Sequence, residues 1–414
     1  MTGAADVVIC GSGVAGLAAA VALGRHGLDV VLLDKKRVQP RIAKGEVLKP
    51  GSLAILHDWD VLPALEARKP TRLNRLVARD ARGSELVTMD FETLGDRWSW
   101  MLAHDYTTIL ECLGESLGPS VSWRRGVLAE DLVRDSDDRI AGVRTPDGEI
   151  RGRIVLAADG MSSRLRKAAG LSANPVAYPH RLVSFELTGA QVPAEEVSAH
   201  VTRRGLVMIY PLPDDRARVY VQVAPDELRK ADAARLAGWC DELVAAVPAL
   251  QPYATALTES LGTRQLLPVH HYQAPSVVAP GMVLLGEAAH SVHPLAAQGM
   301  NTSIGDAHAL ALHLAGAYLG DDRSVDAALR AYEGERLPWV HGIQTMSHNA
   351  ARMMTSTSLT GRMLGRRLLS GTGRNPRLRY QTTYNMSGLG MRPLTTLDRL
   401  AQLGLLPAKR QASP

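Results

Sequence analysis

The chain has 414 residues, 46% of them hydrophobic and 21% charged, the balance of a soluble globular protein with two or three domains. No apolar run reaches the roughly 18 residues that a membrane-spanning helix needs, and Cys10, Cys112 and Cys240 make neither a disulfide nor a metal framework. The formal charge of +5 is spread thinly until Arg352, Arg362, Arg366, Arg367, Arg374, Arg377 and Arg379, which read as solvated side chains on surface helices, since no nucleic-acid module or aromatic platform accompanies them.

The N-terminus opens on a strand rather than a signal peptide, so a reducing cytoplasm is expected. Residues 6–10 (DVVIC) read as a buried strand. Gly11-Ser12-Gly13-Val14-Ala15-Gly16 follows, then an Ala/Leu-rich helix to about His26, ended by Gly27. A second strand, Asp29 to Leu33, closes on Asp34, 18 residues past the third glycine. This is the G-x-G-x-x-G fingerprint of a dinucleotide-binding unit, with the strand before and the helix after that it requires. Gly11 permits the tight turn, Gly13 lets a pyrophosphate approach the backbone, and Gly16 lets helix and strand pack closely. Asp34 can accept both ribose hydroxyls, and its charge disfavours a 2′-phosphate. Lys35, in the basic loop Lys35-Lys36-Arg37, lies beside the adenosine. The fingerprint occurs once, so a second dinucleotide would visit only transiently.

An amphipathic helix is expected near Ser52–Trp59, after Gly45-Glu46-Val47-Leu48-Lys49-Pro50. Residues 73–91 alternate loosely around a turn at Ala81-Arg82-Gly83, which predicts a hairpin outside the nucleotide domain. A helix near 107–117 and short strands near 121–133 and 140–145 lead to a strand at Ile154–Ala158. That strand ends in a loop, Asp159 to Arg166, which opens another helix. Strands at Leu182–Leu187, Val207–Tyr210 and Arg218–Val223, with a helix at 231–247, form a separate antiparallel lobe. The chain then returns through Met282-Val283-Leu284-Leu285 into Gly286-Glu287-Ala288-Ala289-His290-Ser291-Val292-His293-Pro294-Leu295-Ala296-Ala297-Gln298-Gly299-Met300-Asn301. A helix containing Ala307, Leu310, Ala311 and Leu314 begins there. Its first turn offers unpaired N–H groups and a positive dipole end to an anionic or electron-rich group. Beyond about residue 346 the chain reads as helical, with the last six or so residues loose.

With these pieces in order, the sequence resembles the flavoprotein monooxygenases of the para-hydroxybenzoate hydroxylase and ubiquinone-biosynthesis hydroxylase superfamily. Four motifs between Val7 and Pro338 carry the resemblance. They are GSGVAG with Asp34; the D-G-x-x-S-x-x-R pattern of Asp159, Gly160, Ser163 and Arg166; the 286–301 loop, similar to G-D-A-A-H…P…G-Q-G-M-N; and Tyr332-Glu333-Gly334-Glu335-Arg336-Leu337-Pro338, similar to Y-E-x-x-R-x-P. The resemblance implies an α/β fold: a Rossmann-like FAD-binding domain from residues 1–72, 101–180 and 269–345, a mostly antiparallel substrate domain from 73–100 and 181–268, and a C-terminal helical region over 346–414. It implies FAD held by Gly11, Ser12, Gly13, Val14, Ala15, Gly16, Asp34 and Lys35, and by Arg41, Lys44 and Gly45 at the phosphates. It further implies Glu287 with Gly286 at the ribityl chain, Pro294 and Ala297 at the isoalloxazine, and Gly299, Met300 and Asn301 at the pyrimidine edge. The Asp159, Gly160, Ser163 and Arg166 loop lies by the pyrophosphate in the family and is implicated there in NAD(P)H use. Three positions depart from the family: Glu287 replaces Asp, Ala296-Ala297 replace a small pair containing Gly, and Tyr106 (or His104) stands where an Arg usually contacts the cofactor.

The implied reaction is reduction of FAD by NAD(P)H, addition of O2, and transfer of one oxygen from a flavin hydroperoxide to an electron-rich small molecule. An apolar aromatic, quinone or polyketide-like substrate of a biosynthetic pathway suits the aliphatic lobe, and the enzyme is expected as a monomer or homodimer. Tyr210, His270 and His271 are the catalytic candidates, the histidines as groups that ease phenol deprotonation near neutral pH. Tyr210 also reads as lobe packing, the commoner role of such a residue, and the histidines, which enter the last sheet strand, as a plain edge-strand pair. The GEVLKP loop also resembles that of flavin-dependent halogenases and isoprenoid reductases, and Trp98-Ser99-Trp100 resembles a halogenase W-x-W. Oxidation without oxygen insertion, halogenation and non-catalytic FAD binding are therefore the rival readings.

Overall fold

The computed structural model describes residues 4–39, 42–172 and 174–405; Arg41 and the last nine residues lie outside the described residues. The first strand, Ala5–Cys10, sits at the centre of a parallel sheet between Val30–Asp34 and Gly148–Ala157. Val121–Arg125 and Met282–Leu284 extend it in parallel on either side, and Val278–Ala279 adds an antiparallel edge. Both faces of the central strands are covered, which is why they read as unbroken apolar runs. The helix Val14–Arg25 is buried from Val14 to Leu23. Its alanines let it lie close against the helix Gly299–Ala315, so the fingerprint and the 286–301 loop meet at one end of the sheet.

The second sheet is larger and mostly antiparallel. Its order runs from His290–Ser291 through Gln265–Gln273, Val176–Thr188, Arg216–Val223, Gly205–Leu212 and Glu195–Thr202 to Thr71–Asp80, Met101–Ala103 and Val47–Leu48. Alternation divides its residues between two cores. Val183, Phe185, Val207, Ile209, Val219 and Val221 pack under the helix Ala233–Ala246 and its Trp239. Leu182, Leu206, Met208, Tyr210, Leu212 and Tyr220 face the other way, toward Ala296 and the C-terminal helices.

Two features differ from the expectations. The strand Glu195–Thr202 was not anticipated, because its alternate residues Glu196, Ser198 and His200 are polar. They are buried nonetheless: Arg79 on Thr71–Asp80 ion-pairs with Glu196 and bonds Ser198. This strand pairs in parallel with Thr71–Asp80 and fuses the hairpin to the lobe. Second, His270 and His271 do not enter the last strand of the nucleotide sheet. Their strand pairs with Val176–Thr188 and His290–Ser291 in the second sheet, and the chain reaches the parallel sheet only at Val278. The C-terminal arginines lie at the surface, as expected, and three of them also make ties. Arg366 pairs with Asp80 at 2.9 Å, Arg377 with Asp398, and Arg367 donates to the Leu403 carbonyl. The first of these reaches the second sheet, and the other two join Leu359–Arg374, Pro376–Ser387 and Thr396–Gln402 to one another. No described helix is long and apolar enough to cross a membrane.

Candidate cofactor and substrate site

The three fingerprint glycines serve two different needs. A Cβ on Gly11 would lie 2.3 Å from the Ala158 carbonyl oxygen, and one on Gly16 would lie 1.8 Å from the Gly11 oxygen. Both are required by the protein's own packing. A Cβ on Gly13 would meet nothing nearer than the Tyr106 hydroxyl at 3.6 Å, so its bareness serves something the protein does not supply. Beyond it the Val14–Arg25 helix presents the amides of Val14 and Ala15, and the Val14 N–H bonds the Tyr106 phenol. Asp34 is buried and aimed. One of its oxygens accepts the Ser12 amide and hydroxyl at 2.8 and 2.5 Å, the other the Lys36 amide at 2.7 Å. About four lone-pair sites less three bonds leave acceptor capacity for a ribose hydroxyl. The Lys35 side chain is exposed at the rim.

On the facing loop, Gly160 is open and Asp159 bonds the Arg164 amide with one oxygen, while its other oxygen is buried with no partner among the described residues. Ser163 caps the short helix that follows. Arg166 is committed elsewhere: it donates to the carbonyls of Ala288 and Met161 and lies 4.6 Å over the Tyr272 ring. Its work is to tie this loop to the 286–301 loop.

That second loop is clamped from several sides. Gly286, at φ +58, packs on Ala15, where a Cβ would come within 2.6 Å. Glu287 ion-pairs with Lys44 at 2.6 Å. His290 bonds Asp306 at 2.6 Å, and Arg336 of the Y-E-x-x-R-x-P segment bonds the same carboxylate at 2.9 Å. Burial would raise Asp306, but Arg336 and His290 hold its carboxyl below the usual range. Ala297 adopts a left-handed φ of +46, a strained conformation for a residue with a Cβ. The Asn301 side chain donates to the carbonyls of Val47 (3.0 Å) and Ala297 (2.7 Å) and accepts the Lys49 amide (2.8 Å). With Gly45 folded over Met300, residues 45–49 lie across the start of the Gly299–Ala315 helix.

The catalytic candidates separate. Tyr210 is buried and donates to Glu46 at 2.8 Å, while Arg218 grips the same carboxylate at 2.6 and 3.0 Å. Burial, reinforced by Glu46, pushes the Tyr210 hydroxyl well above its ordinary value. Arg218 also reaches Glu186, and Arg216 joins Glu186 to Asp105. His271 instead lines a cavity of about 350 Å³ with His341, His348 and Gln344. Tyr178 bonds His348 at 3.0 Å and packs edge-on against His293. An irregularity between Ala177 and Arg181 turns Tyr178 and His180 toward this cluster, a common use of a bulge. His293 accepts the Leu295 amide at Nδ1, so its proton resides on Nε2, which donates to His180 Nε2 at 2.9 Å. His270 does not join the cluster. Glu46, Lys49, Arg218, Tyr178 and His180 were missed as site residues; the one visible signal was a charge set in an apolar strand or in the GEVLKP loop. Trp98 and Trp100 are each stacked beneath an arginine, Arg97 and Arg72.

The family described as FAD binding domain matches residues 4–347. The chain belongs to that family. It is an FAD-dependent enzyme of the monooxygenase class, and its fold is that of known members. It is 25% identical to 3-demethoxyubiquinol 3-hydroxylase of Escherichia coli over 74% of this chain and 78% of that protein. It is 28% identical to 6-methylpretetramide 4-monooxygenase of Streptomyces rimosus over 85% of each. The structure of Pseudomonas aeruginosa PqsL in complex with 2-aminobenzoylacetate superposes with a TM-score of 0.77 at 26% identity, covering 86% of this chain and 98% of that one. The residues present fit FAD: an open Gly13, spare capacity on Asp34, a partnerless buried oxygen on Asp159, and two helix starts converge. Among the described residues no cluster could hold a metal ion.

Two predictions follow from this geometry. Gly13→Val should abolish FAD retention with little effect on the thermal stability of the apoprotein, because its Cβ makes only an ordinary contact with the Tyr106 hydroxyl at 3.6 Å; retained flavin absorbance would contradict the assignment. The second concerns pH. Burial, then His180 and His348, pushes His293 down to about 3, whereas an unfolded histidine titrates near 6.5. Between those values the unfolded chain binds the extra proton, so stability rises with pH and is lost as pH falls below about 6.5. His293 should account for about 2 kcal/mol of loss between pH 7 and pH 5, read by urea denaturation. His293→Gln should flatten that slope, and equal slopes in both proteins would contradict it.

Proposed function

We propose that this enzyme uses NAD(P)H and O2 with FAD to hydroxylate an apolar aromatic, quinone or polyketide-like molecule. One observation carries this reading. The Pro294–Ala296 turn packs Leu295, Ala296 and Ala297 onto the sheet face bearing Met208, Tyr210, Leu212 and Tyr220, and Met354, Leu369 and Met386 close the same core. A substrate approaching the cofactor loop from this side would meet a wall of aliphatic and thioether side chains, which adapt to an irregular ring system. The names of the relatives above, which include a 3-demethoxyubiquinol hydroxylase and a 6-methylpretetramide monooxygenase, support that class.

FAD, when bound, supplies the electron transfer and oxygen activation that side chains cannot. The chain's residues do the rest. The C-terminal helices cover the site and exclude water. The Glu46–Arg218–Tyr210 network fixes one wall, its hydroxyl already engaged as a donor. The His180–His293 pair is uncharged at neutral pH and holds the turn before Pro294. Tyr178, His348 and His271 run from that turn to the open cavity, a path by which a proton leaving a bound phenol reaches solvent. NAD(P)H acts as a transient reductant, consistent with the single fingerprint and with an Arg166 already occupied.

The test is isotopic. FAD-loaded enzyme turning over a panel of polycyclic phenols and quinols under labelled O2 should place one labelled oxygen in each product and consume one NAD(P)H. Product free of label, with NAD(P)H oxidised, would instead mean oxidation without oxygen insertion.

A further inference from the structure

Lys49 is an anomaly in this fold. Its side chain is 0% exposed, and lysine is among the residues least often fully buried without a partner. Its ammonium donates to the Ala296 carbonyl at 2.5 Å, and no carboxylate pairs with it among the described residues. One neutral acceptor does not offset a buried charge, and burial alone pushes the amine down to about 7. Its position compounds the cost. Lys49 is the N-cap of the helix Pro50–Asp58, which bears no acidic residue in its first turn, so this helix start supplies no carboxylate to balance the ammonium. Its own amide is bound by Asn301, in the first turn of the Gly299–Ala315 helix. One ammonium and two helix starts therefore converge on the 294–301 loop, with no anion among the described residues paired with the ammonium.

Such an arrangement is tolerated when the missing negative charge arrives with a ligand. We propose that Lys49 is a positioning residue for charge at the cofactor site: held on the Ala296 carbonyl, its ammonium is the counter-charge for the negative charge that FAD acquires when it is reduced. The proposal rests on the FAD-dependent reading given above. Hydride transfer from NAD(P)H delivers two electrons and one proton, NAD(P)+ departs, and the reduced cofactor is left with one net negative charge on its ring system unless a further proton is taken up. A cation fixed under the loop favours the charged form and so favours reduction.

The experiment compares wild type, Lys49→Met and Lys49→Arg by two measurements. The first is the two-electron potential of the FAD-loaded proteins, read spectrophotometrically against reference dyes. Lys49→Met should bind reduced FAD about tenfold less favourably relative to oxidised FAD, which lowers the potential by about 30 mV, and Lys49→Arg should recover most of that shift. The second is thermal unfolding of the apoproteins, where Lys49→Met should unfold at a higher temperature than wild type because it removes an uncompensated buried charge. A Lys49→Met apoprotein less stable than wild type would make Lys49 a structural residue and overturn the proposal. So would an unchanged potential with FAD bound and labelled oxygen still entering product, which leaves the monooxygenase reading standing. Wild-type protein unable to take up FAD would overturn both.

Discussion

One side-chain amide holds this molecule's two halves in register. Asn301 bonds the backbone at Val47, Lys49 and Ala297, so the start of the Gly299–Ala315 helix, the turn after Pro294 and the segment crossing between the sheets are fixed as one unit. The chain elements on either side are fixed by the same unit. Val47–Leu48 is the edge strand of the second sheet, and Glu46 reaches Arg218 on the interior strand Arg216–Val223 of that sheet. The Gly299–Ala315 helix packs on Val14–Arg25, whose N-terminus faces the open Gly13. Dinucleotide cradle, cofactor loop and substrate wall are therefore positioned from one short stretch.

The buried ion network extends this logic. Replacing a buried pair such as Glu46–Arg218 by apolar residues is often neutral or stabilising, so the pair contributes orientation more than stability. Here it aligns Tyr210 and connects through Glu186 and Arg216 to Asp105, beside the Tyr106 that bonds the Val14 amide. Strain at Ala297 and the unbalanced charge of Lys49 lie on the same loop. Both are uncomfortable for the protein alone and fall where a cofactor would relieve or use them.

How much of this could be read from sequence varied with how local each signal is. The parallel strands and the fingerprint were legible because buried strands are continuous apolar runs and the glycine spacing is itself the constraint. The hairpin at Thr71–Asp90 and the 286–301 loop were legible for similar reasons. Glu195–Thr202 was not, because its polar face is neutralised by Arg79, well over a hundred residues away in sequence. The sheet to which His270 and His271 belong was also hidden, since strand pattern does not encode the partner strand. Glu46 and Lys49 lay in a loop already singled out, yet their meaning depends on Arg218 and Ala296, which only the fold brings near.

If the three loops form one cofactor cradle, purified protein titrated with FAD should bind one FAD per chain, quenching flavin fluorescence and raising the unfolding temperature in step with occupancy. A titration that shows neither quenching nor thermal stabilisation would contradict the account at its base.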